Sequence, residues 1–276
     1  MKHSRNLKQT LTAAPHLVWC VLFIIAPMLF VVYYTFTDKD GNFTLNNIVE
    51  LTDPAYLTTF GRSIWYAIIA TVLCLLVAYP LASFICKMKP HTQQLCIMLI
   101  MLPMWTNFLI RTYTLTQILE KNGIINSFLG LIGIGPIEFL GTGAAVVFGM
   151  VYNFLPYMVL PIHSVLSKMD NRLIEAAADL GCTPAQTLFK VKLPLSLSGI
   201  VSGVTMVFVP SISTFYISQV MSKRTIILVG DAIERQFMSN YNYNMGATLS
   251  AVLMVLVLLS MKIMNRYGDK ETGVVA

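Results

Sequence analysis

The sequence predicts an all-α integral membrane protein with six transmembrane helices, and two observations support that fold class. Of the 276 residues, 56% are hydrophobic and only 12% are charged, against about 25% charged residues in an ordinary soluble domain. Six apolar runs are each long enough to cross a hydrocarbon core of about 30 Å as a helix. The net charge of +6 does not indicate nucleic-acid binding, because Lys and Arg are scattered between the apolar runs.

The six apolar runs are the predicted spans. They cover residues 15–37, 63–86, 93–118, 142–167, 196–221 and 244–264. Residues 17–37 carry no charge and no small-x-small cleavage site follows, so we interpret the first run as a span rather than a signal peptide. Arg111 lies toward the end of the third run, and we expect its side chain to reach the interface by snorkelling. The stretch GIVSG at 199–203 fits a small-xxx-small pattern and predicts the close approach of another helix.

Charge in the loops predicts the orientation. Twelve of the nineteen Lys and Arg residues fall on one set of loops and termini, and cytoplasmic segments carry such an excess. We therefore expect both termini in the cytoplasm. The predicted parts are a tail at 1–14, a six-helix membrane domain at 15–265 with a cytoplasmic loop at 168–195, and a second tail at 266–276.

The sequence lacks the common motifs for metal binding, catalysis and nucleotide binding. The five cysteines include no Cys-x-x-Cys pair, so we interpret them as apolar fillers rather than metal ligands or disulfides. Neither His-Glu-x-x-His nor Gly-x-Ser-x-Gly occurs, and no Gly-x-x-x-x-Gly-Lys-Ser/Thr phosphate loop is present. The sequence therefore predicts no catalytic residue, no metal site and no bound cofactor. Five of the six runs contain proline, which fits either ordinary helix bending or bent helices lining a path.

The loop sequence EAAADLGCTPAQTLFKVKLP, residues 175–194, interrupts the apolar pattern. Asp170 or Asn171 can cap a first helix, and Gly181 can end it in the left-handed conformation. Thr183 and Gln186 then fit a capping box that starts a second helix, which we expect to run to about residue 192. The pattern predicts a helix–turn–helix between the fourth and fifth spans.

One face of the first loop helix is defined by Leu173, Ala176, Ala177 and Leu180, spaced i, i+3, i+4 and i+7. Two interpretations remain open for it. The helix could lie on lipid headgroups, although it lacks an aromatic anchor and has a weak basic face. Alternatively, small exposed alanines could let a protein partner come close.

The spacing Glu175-Ala176-Ala177, Gly181 and Val191-x-Leu193-Pro194 resembles the EAA loop of ABC importer permeases, with Val191 where the family often has Ile. The resemblance implies a type I ABC importer (MetI-like) permease fold and a coupling helix that docks on a cytoplasmic ATPase subunit. The residues it assigns to ATPase coupling are Glu175, Ala176, Ala177, Asp179, Gly181, Leu193 and Pro194.

Other segments extend the resemblance over nearly the whole chain. Residues 102–115, 153–166, 215–221 and 228–237 are similar to the PotB-type permeases of spermidine/putrescine importers. The chain departs from that pattern at Ser222-Lys223, where small glycines are expected, and at Tyr243-Asn244, where Trp-Pro is common. The resemblance implies a second homologous permease, two ATP-binding-cassette subunits that hold ATP and Mg²⁺, and an extracytoplasmic solute-binding protein.

A polyamine cargo would cross spans that have no deep Asp or Glu, so aromatic faces and carbonyl oxygens would have to stabilise its charge. Each aromatic side chain could equally belong to an interface belt or to helix packing. The candidate path residues are Trp105, Asn107, Tyr113, Tyr152, Tyr157, Phe215, Tyr216, Asp231 and Glu234, the last two as cation-attracting groups of an outer loop. We interpret His163 as a hydrogen-bonded structural histidine, because no acidic residue accompanies it in its run.

Three other functions are weighed against a polyamine permease. The same architecture could import an amino acid, a sugar, a phosphate ester or an iron complex. An ATP-independent secondary transporter or channel would need intramembrane ionisable groups or a selectivity filter, and the sequence shows neither. An intramembrane enzyme would need a catalytic motif, and none is present.

Overall fold

The computed structural model describes residues 14–131, 133 and 135–272, and the predicted tail at 1–14 lies outside them except for its last residue. Within these residues the chain is helical, and its only β-type pairing is an isolated bridge between Thr37 and Phe43. We number the helices α1 Ala14–Thr35, α2 Asn46–Glu50, α3 Pro54–Ile85, α4 Pro90–Trp105, α5 Phe108–Leu119, α6 Ile124–Leu131, α7 Gly143–Leu166, α8 Asn171–Asp179, α9 Pro184–Leu195, α10 Leu197–Ser213, α11 Tyr216–Met221, α12 Val229–Met238 and α13 Tyr243–Thr272.

The described helices account for all six predicted runs, in two different ways. Four of them, α1, α3, α7 and α13, are single helices long and apolar enough to cross a membrane. The third run is divided between α4 and α5, and the fifth between α10 and α11. The bent pairs are α4 with α5–α6 and α9 with α10, so the described residues hold the six predicted spans if each pair counts as one.

The third run breaks between α4 and α5, where the chain turns by 96°. Thr106 is extended at ψ 153°, and the Asn107 side chain accepts hydrogen bonds from the backbone N–H groups of Leu109 and Ile110, at 2.9 and 3.4 Å. Asn107, predicted as a path residue, is therefore the N-cap of α5. The break arises because a new helix is capped inside the apolar run.

The fifth run, 196–221, begins at a 70° bend between α9 and α10, and α10 ends at Ser213, before extended Thr214 and the short helix α11. Ser196 at the bend is fully buried, and its hydroxyl lies 3.0 Å from the hydroxyl of Tyr79 in α3. The bend is thus fixed by a buried polar contact to another span.

Contacts divide the described part of the chain into two compact units, one of residues 14–57 and 232–255 and the other of residues 58–131, 133, 135–231 and 256–272. In the first unit, Asn47 Nδ2 donates to the carbonyl oxygens of Thr35 and Thr37, at 3.1 and 2.9 Å. Asn244 Nδ2 donates to the Thr37 oxygen as well. Two asparagine amides therefore satisfy the carbonyl groups at the end of α1.

The core of the second unit lies along the contact between α7 and α10. A Cβ atom at Gly203 would lie 2.7 Å from Met158 Sδ, and one at Gly199 would lie 2.9 Å from the Pro161 carbonyl oxygen. Met158 and Val207 are fully buried there. The small-xxx-small prediction for 199–203 is confirmed, because the two helices approach too closely to admit a methyl group.

Candidate functional site

The loop helix α8 begins and ends as the sequence predicts. Asp170, rather than Asn171, is its N-cap, and its carboxylate accepts a hydrogen bond from the Arg172 backbone N–H at 2.9 Å. At the other end Gly181 has φ +77°, and the Cys182 N–H donates to the Ala177 carbonyl at 3.0 Å. A Cβ atom at Gly181 would meet open space, so the glycine is required by its backbone conformation and not by packing.

Helix α9 starts with the predicted capping box. The Gln186 side chain accepts from the Thr183 N–H at 2.8 Å, and Thr183 Oγ1 accepts from the Gln186 N–H at 3.3 Å. The helix continues to Leu195 through a π-helical turn at Leu188–Lys192, three residues beyond the expected end. The loop therefore consists of two locally capped helices joined at a glycine, which positions α8 between the spans α7 and α10.

The exposure of α8 differs in one respect from the expectation. Ala177 is buried, so it packs inward and does not belong to an exposed alanine face, whereas Ala176 is exposed as expected. Leu180 is 85% exposed and Leu173 is 48% exposed, and both are large apolar side chains on a polar segment. Of the other residues assigned to coupling, Leu193 is half-buried, and the exposed ones are Glu175, Asp179, Gly181 and Pro194. Such an unpartnered surface suits the docking of another protein.

A cavity of about 400 Å³ lies between α4 and α7, within the volume range of small-molecule sites. Trp105, a predicted path residue, lines it and is 73% exposed. The His163 Nε2 atom is buried and has no hydrogen-bond partner among the described residues, so the predicted hydrogen bond is not seen at this atom. The lining residues are uncharged apart from the titratable His163: Pro90, Gln93, Gln94, Ile97, Met98, Met101, Trp105 and His163.

The other aromatic candidates are not gathered at one place. Within residues 14–131, 133 and 135–272, no ring contact joins any two of the six predicted path aromatics. Tyr216 instead faces Phe108, with ring centroids 6.3 Å apart, and this pair links α11 to α5. The remaining four are partly exposed, at 55% for Tyr113, 41% for Tyr152, 38% for Tyr157 and 44% for Phe215.

The acidic pair does not lie in an open loop. Asp231 is only 6% exposed in the first turn of α12, where Ser218 Oγ donates to its Oδ2 atom at 2.6 Å and the Leu228 N–H donates at 2.8 Å. Glu234 follows in the same helix and is half-buried. Asp231 was therefore wrongly placed as an exposed residue at a mouth, because its carboxylate fixes the turn before α12 to α11.

The main feature that the sequence analysis missed is a polar cluster at the break of the third run. Arg111 does not snorkel: its Nε atom donates to Asn153 Oδ1 at 2.8 Å, and its NH1 atom donates to the Pro103 carbonyl at 2.9 Å. Asn153 is fully buried, and its amide donates to Gly149 O at 2.8 Å and to Thr112 Oγ1 at 3.3 Å. An asparagine inside the apolar run at 142–167 was the available signal for a partner of Arg111.

The turn after α11 contains Ser222 and Lys223, where the chain departs from the PotB-type pattern. Lys223 has φ 51° and Arg224 has φ 63°, which is the left-handed region that glycine occupies without cost. Ser222 is buried and its hydroxyl accepts from the Ile226 N–H at 3.3 Å. A glycine at position 223 would adopt this conformation at no cost, whereas Ser222 has φ −87°, so of the two departures only Lys223 adds backbone strain.

Comparison with known proteins supplies the family. Residues 80–272 match the family described as "Binding-protein-dependent transport system inner membrane component". The chain is 38% identical over 286 residues to the spermidine/putrescine transport system permease protein PotB of Haemophilus influenzae, covering 98% of this chain and 100% of that protein. It is 36% identical to PotB of Escherichia coli K12, covering 87% of this chain and 90% of that protein.

Solved structures agree with that assignment at the level of the fold. A chain of the bacterial alginate ABC transporter, crystallised in complex with an alginate pentasaccharide-bound periplasmic protein, superposes with a TM-score of 0.82 at 14% identity, over 98% of this chain and 96% of that one. The predicted MetI-like permease fold is thus confirmed, and the protein is a multi-pass membrane protein. The chain belongs to the family of inner membrane components of binding-protein-dependent transport systems, the permeases of ABC importers.

Proposed function

We propose that this chain is a permease subunit of an ATP-driven importer for spermidine or putrescine. The observation that carries the proposal is the α8–α9 segment, two capped helices joined at Gly181 and placed between two spans. The polyamine cargo is supported by the relatives named for it, at 36–38% identity over most of the chain.

In this proposal α8 is the coupling helix. Exposed Leu173 and Leu180 offer apolar surface to a cleft of an ATPase subunit, and exposed Ala176 leaves room between them for close contact. ATP and Mg²⁺ belong to two such subunits, which hydrolyse ATP, and a second permease completes the path. A solute-binding protein delivers the cargo on the opposite face. Both termini and the α8–α9 segment are cytoplasmic, in keeping with the excess of Lys and Arg there.

The cavity between α4 and α7 is our candidate for the part of the path that this chain supplies. Glutamine oxygens, the neutral imidazole lone pair of His163 and the face of Trp105 can each contact an ammonium group without a fixed negative charge. Weak contacts of this kind suit a transporter, because the cargo must leave again. Aspartate and glutamate are absent from α4 and α7, which form the cavity walls.

The test is ATP hydrolysis by the complete complex in lipid nanodiscs, with its binding protein, in the presence and absence of spermidine. We expect spermidine to stimulate hydrolysis. ATP hydrolysis that spermidine leaves unchanged would retain the importer and refute the polyamine cargo. A complex in which this chain does not bind the ATPase subunits would refute the coupling role as well.

Gly181→Val provides the matched variant, with Gly135→Val as its control. Both glycines have open space where a Cβ would be, but only Gly181 has positive φ. The first substitution should uncouple hydrolysis from transport, and the second should change neither.

A further inference from the structure

A second, smaller cavity lies at the ends of α3 and α7, against the loop helices α8 and α9. Its volume is about 110 Å³, room for one tetrahedral oxyanion or a few waters at about 30 Å³ each. The residues that give it chemical character are Ser83, Cys86, Lys87, Ser167 and Lys192. They come from three separate parts of the chain, so the fold and not the local sequence creates the site.

The charge of this cavity is positive and unbalanced. Lys87 and Lys192 both line it, and no Asp or Glu does. Among the described residues neither lysine forms an ion pair; the one observed salt bridge joins Lys121 to Glu138 elsewhere. The Lys192 ammonium also acts on the neighbouring Cys86 thiol, whose pKa is raised by burial and lowered in part by that charge. The positive charge of Lys192 therefore acts on a group that lines the cavity.

A buried hydroxyl adds a third hydrogen-bond donor. The Ser83 Oγ atom is buried and has no hydrogen-bond partner among residues 14–131, 133 and 135–272. A buried polar atom without a partner is costly, and its hydroxyl can donate to a ligand in the cavity. The Gln93 amide is already engaged, because its Nε2 donates to the carbonyl oxygens of Cys86 and Met88, at 3.0 and 2.9 Å. Two ammonium groups and one hydroxyl thus remain to bind an anion.

We propose that this cavity binds the phosphate group of an anionic phospholipid. A lipid is favoured over free phosphate because the site lies where α3 ends at Ile85 and α7 ends at Leu166, the level at which headgroups lie beside spans. A phosphate there contacts Lys87 after α3 and Lys192 in α9 at once, and so fixes the loop helices to the spans. The location of this lipid in the cytoplasmic leaflet and its effect on coupling rest on the proposed function. The binding of the lipid to the cavity does not.

Binding is measured by native mass spectrometry of the complex released from nanodiscs of phosphatidylglycerol, phosphatidylcholine or both. We expect phosphatidylglycerol to be retained. A lysine near the membrane surface strengthens the binding of an anionic lipid about fivefold, so Lys87→Gln and Lys192→Gln should each lower retention about fivefold and the double variant about 30-fold. Lys190→Gln is the matched control, because Lys190 is exposed in the same helix and does not line the cavity.

Ser83→Ala separates a built site from general surface charge. The hydroxyl is buried and neutral, so its removal lowers phosphatidylglycerol retention only if the headgroup enters the cavity. Retention that falls as much in Lys190→Gln as in Lys192→Gln, or that is unaffected by Ser83→Ala and the double lysine variant, overturns the proposal. Phosphatidylcholine nanodiscs in phosphate buffer form the other arm: inorganic phosphate retained in place of lipid would assign the site to a free anion and refute the lipid.

ATP hydrolysis provides the functional readout on the same samples. Phosphatidylglycerol should raise the spermidine-stimulated rate of the wild-type complex and leave that of the double lysine variant unchanged. If spermidine stimulates nothing in any lipid, the proposed function fails, while lipid retention and its dependence on Ser83 still decide the present proposal. The two failures are therefore distinguishable.

Discussion

The hydrogen bond between Arg111 and Asn153 predicts a measurable coupling inside the membrane. Asn153 lies ten residues into α7, about 15 Å along a helix of 24 residues, so the guanidinium is held near the middle of the span. Asn153→Leu removes the oxygen that accepts the 2.8 Å hydrogen bond from Arg111 Nε, and the charged guanidinium then lacks this acceptor. Hydrogen bonds to charged groups contribute about 1.5–3 kcal/mol, and a charge left at that depth costs more than the bond alone.

We therefore expect Asn153→Leu to destabilise the protein by about 2–4 kcal/mol. The double variant Arg111→Met/Asn153→Leu should be less destabilised than the sum of its two single variants by about 1.5–3 kcal/mol, because no charge remains to be satisfied. Asn153→Asp keeps an acceptor for Arg111 but loses the amide that donates to Gly149 O and Thr112 Oγ1, so its stability should fall between wild type and Asn153→Leu. The assay is thermal and denaturant unfolding of the purified complex in one detergent. Additive effects of the two single substitutions would refute the pairing.

Four further predictions concern individual residues. Gly181→Val should abolish transport while the protein is still inserted in the membrane, since valine at φ +77° destroys the turn after α8. Uptake assays measure the transport, and membrane fractionation measures the insertion. Gly203→Val should lower the melting temperature, because its Cβ alone would lie 2.7 Å from Met158 Sδ. Arg224→Gly should raise the melting temperature, as relief of a left-handed arginine contributes about 1 kcal/mol. Cys86 should react with N-ethylmaleimide slowly at neutral pH and faster as pH rises, because its raised pKa keeps it a thiol, and Lys192→Gln should slow it further.

Each of these has an outcome that contradicts it. Normal uptake by the Gly181 variant would remove the coupling assignment from this turn. An unchanged melting temperature in the Gly203 variant would show that α7 and α10 can separate freely, and a lower one in the Arg224 variant would show a side-chain contact that outweighs backbone strain. Faster labelling of Cys86 after Lys192→Gln would mean that the lysine shields the thiol and does not lower its pKa.

The loop helices were predictable because their signals are local. Asp170, Gly181, Thr183 and Gln186 each act within four residues along the chain, so the sequence alone determines where α8 ends and α9 begins. The inward direction of Ala177 was not predictable in this way. Periodicity defines a helical face, but only the packing of α8 against the rest of the loop decides which part of that face is covered.

The two breaks and the polar cluster required contacts that are distant in sequence. Arg111 looked like an interfacial residue because its partner, Asn153, lies 42 positions away in another apolar run. The capping role of Asn107 was local, yet an apolar run on both sides favoured a continuous span. The burial of Asp231 was not predicted for a similar reason, since Ser218, which donates a hydrogen bond to its carboxylate, belongs to a different helix.

The bend at Ser196 makes α9 and α10 two arms of unequal length that meet at one buried residue. The 12 residues of α9 form an arm of about 18 Å and the 17 residues of α10 form an arm of about 26 Å, and the pair is bent by 70° away from a straight helix. If the pair turns as one piece about Ser196, the far end of α10 moves about 1.4 times as far as the end of α9. Because Met158 packs against Gly203, such a turn would either displace Met158 or carry α7 along with α10.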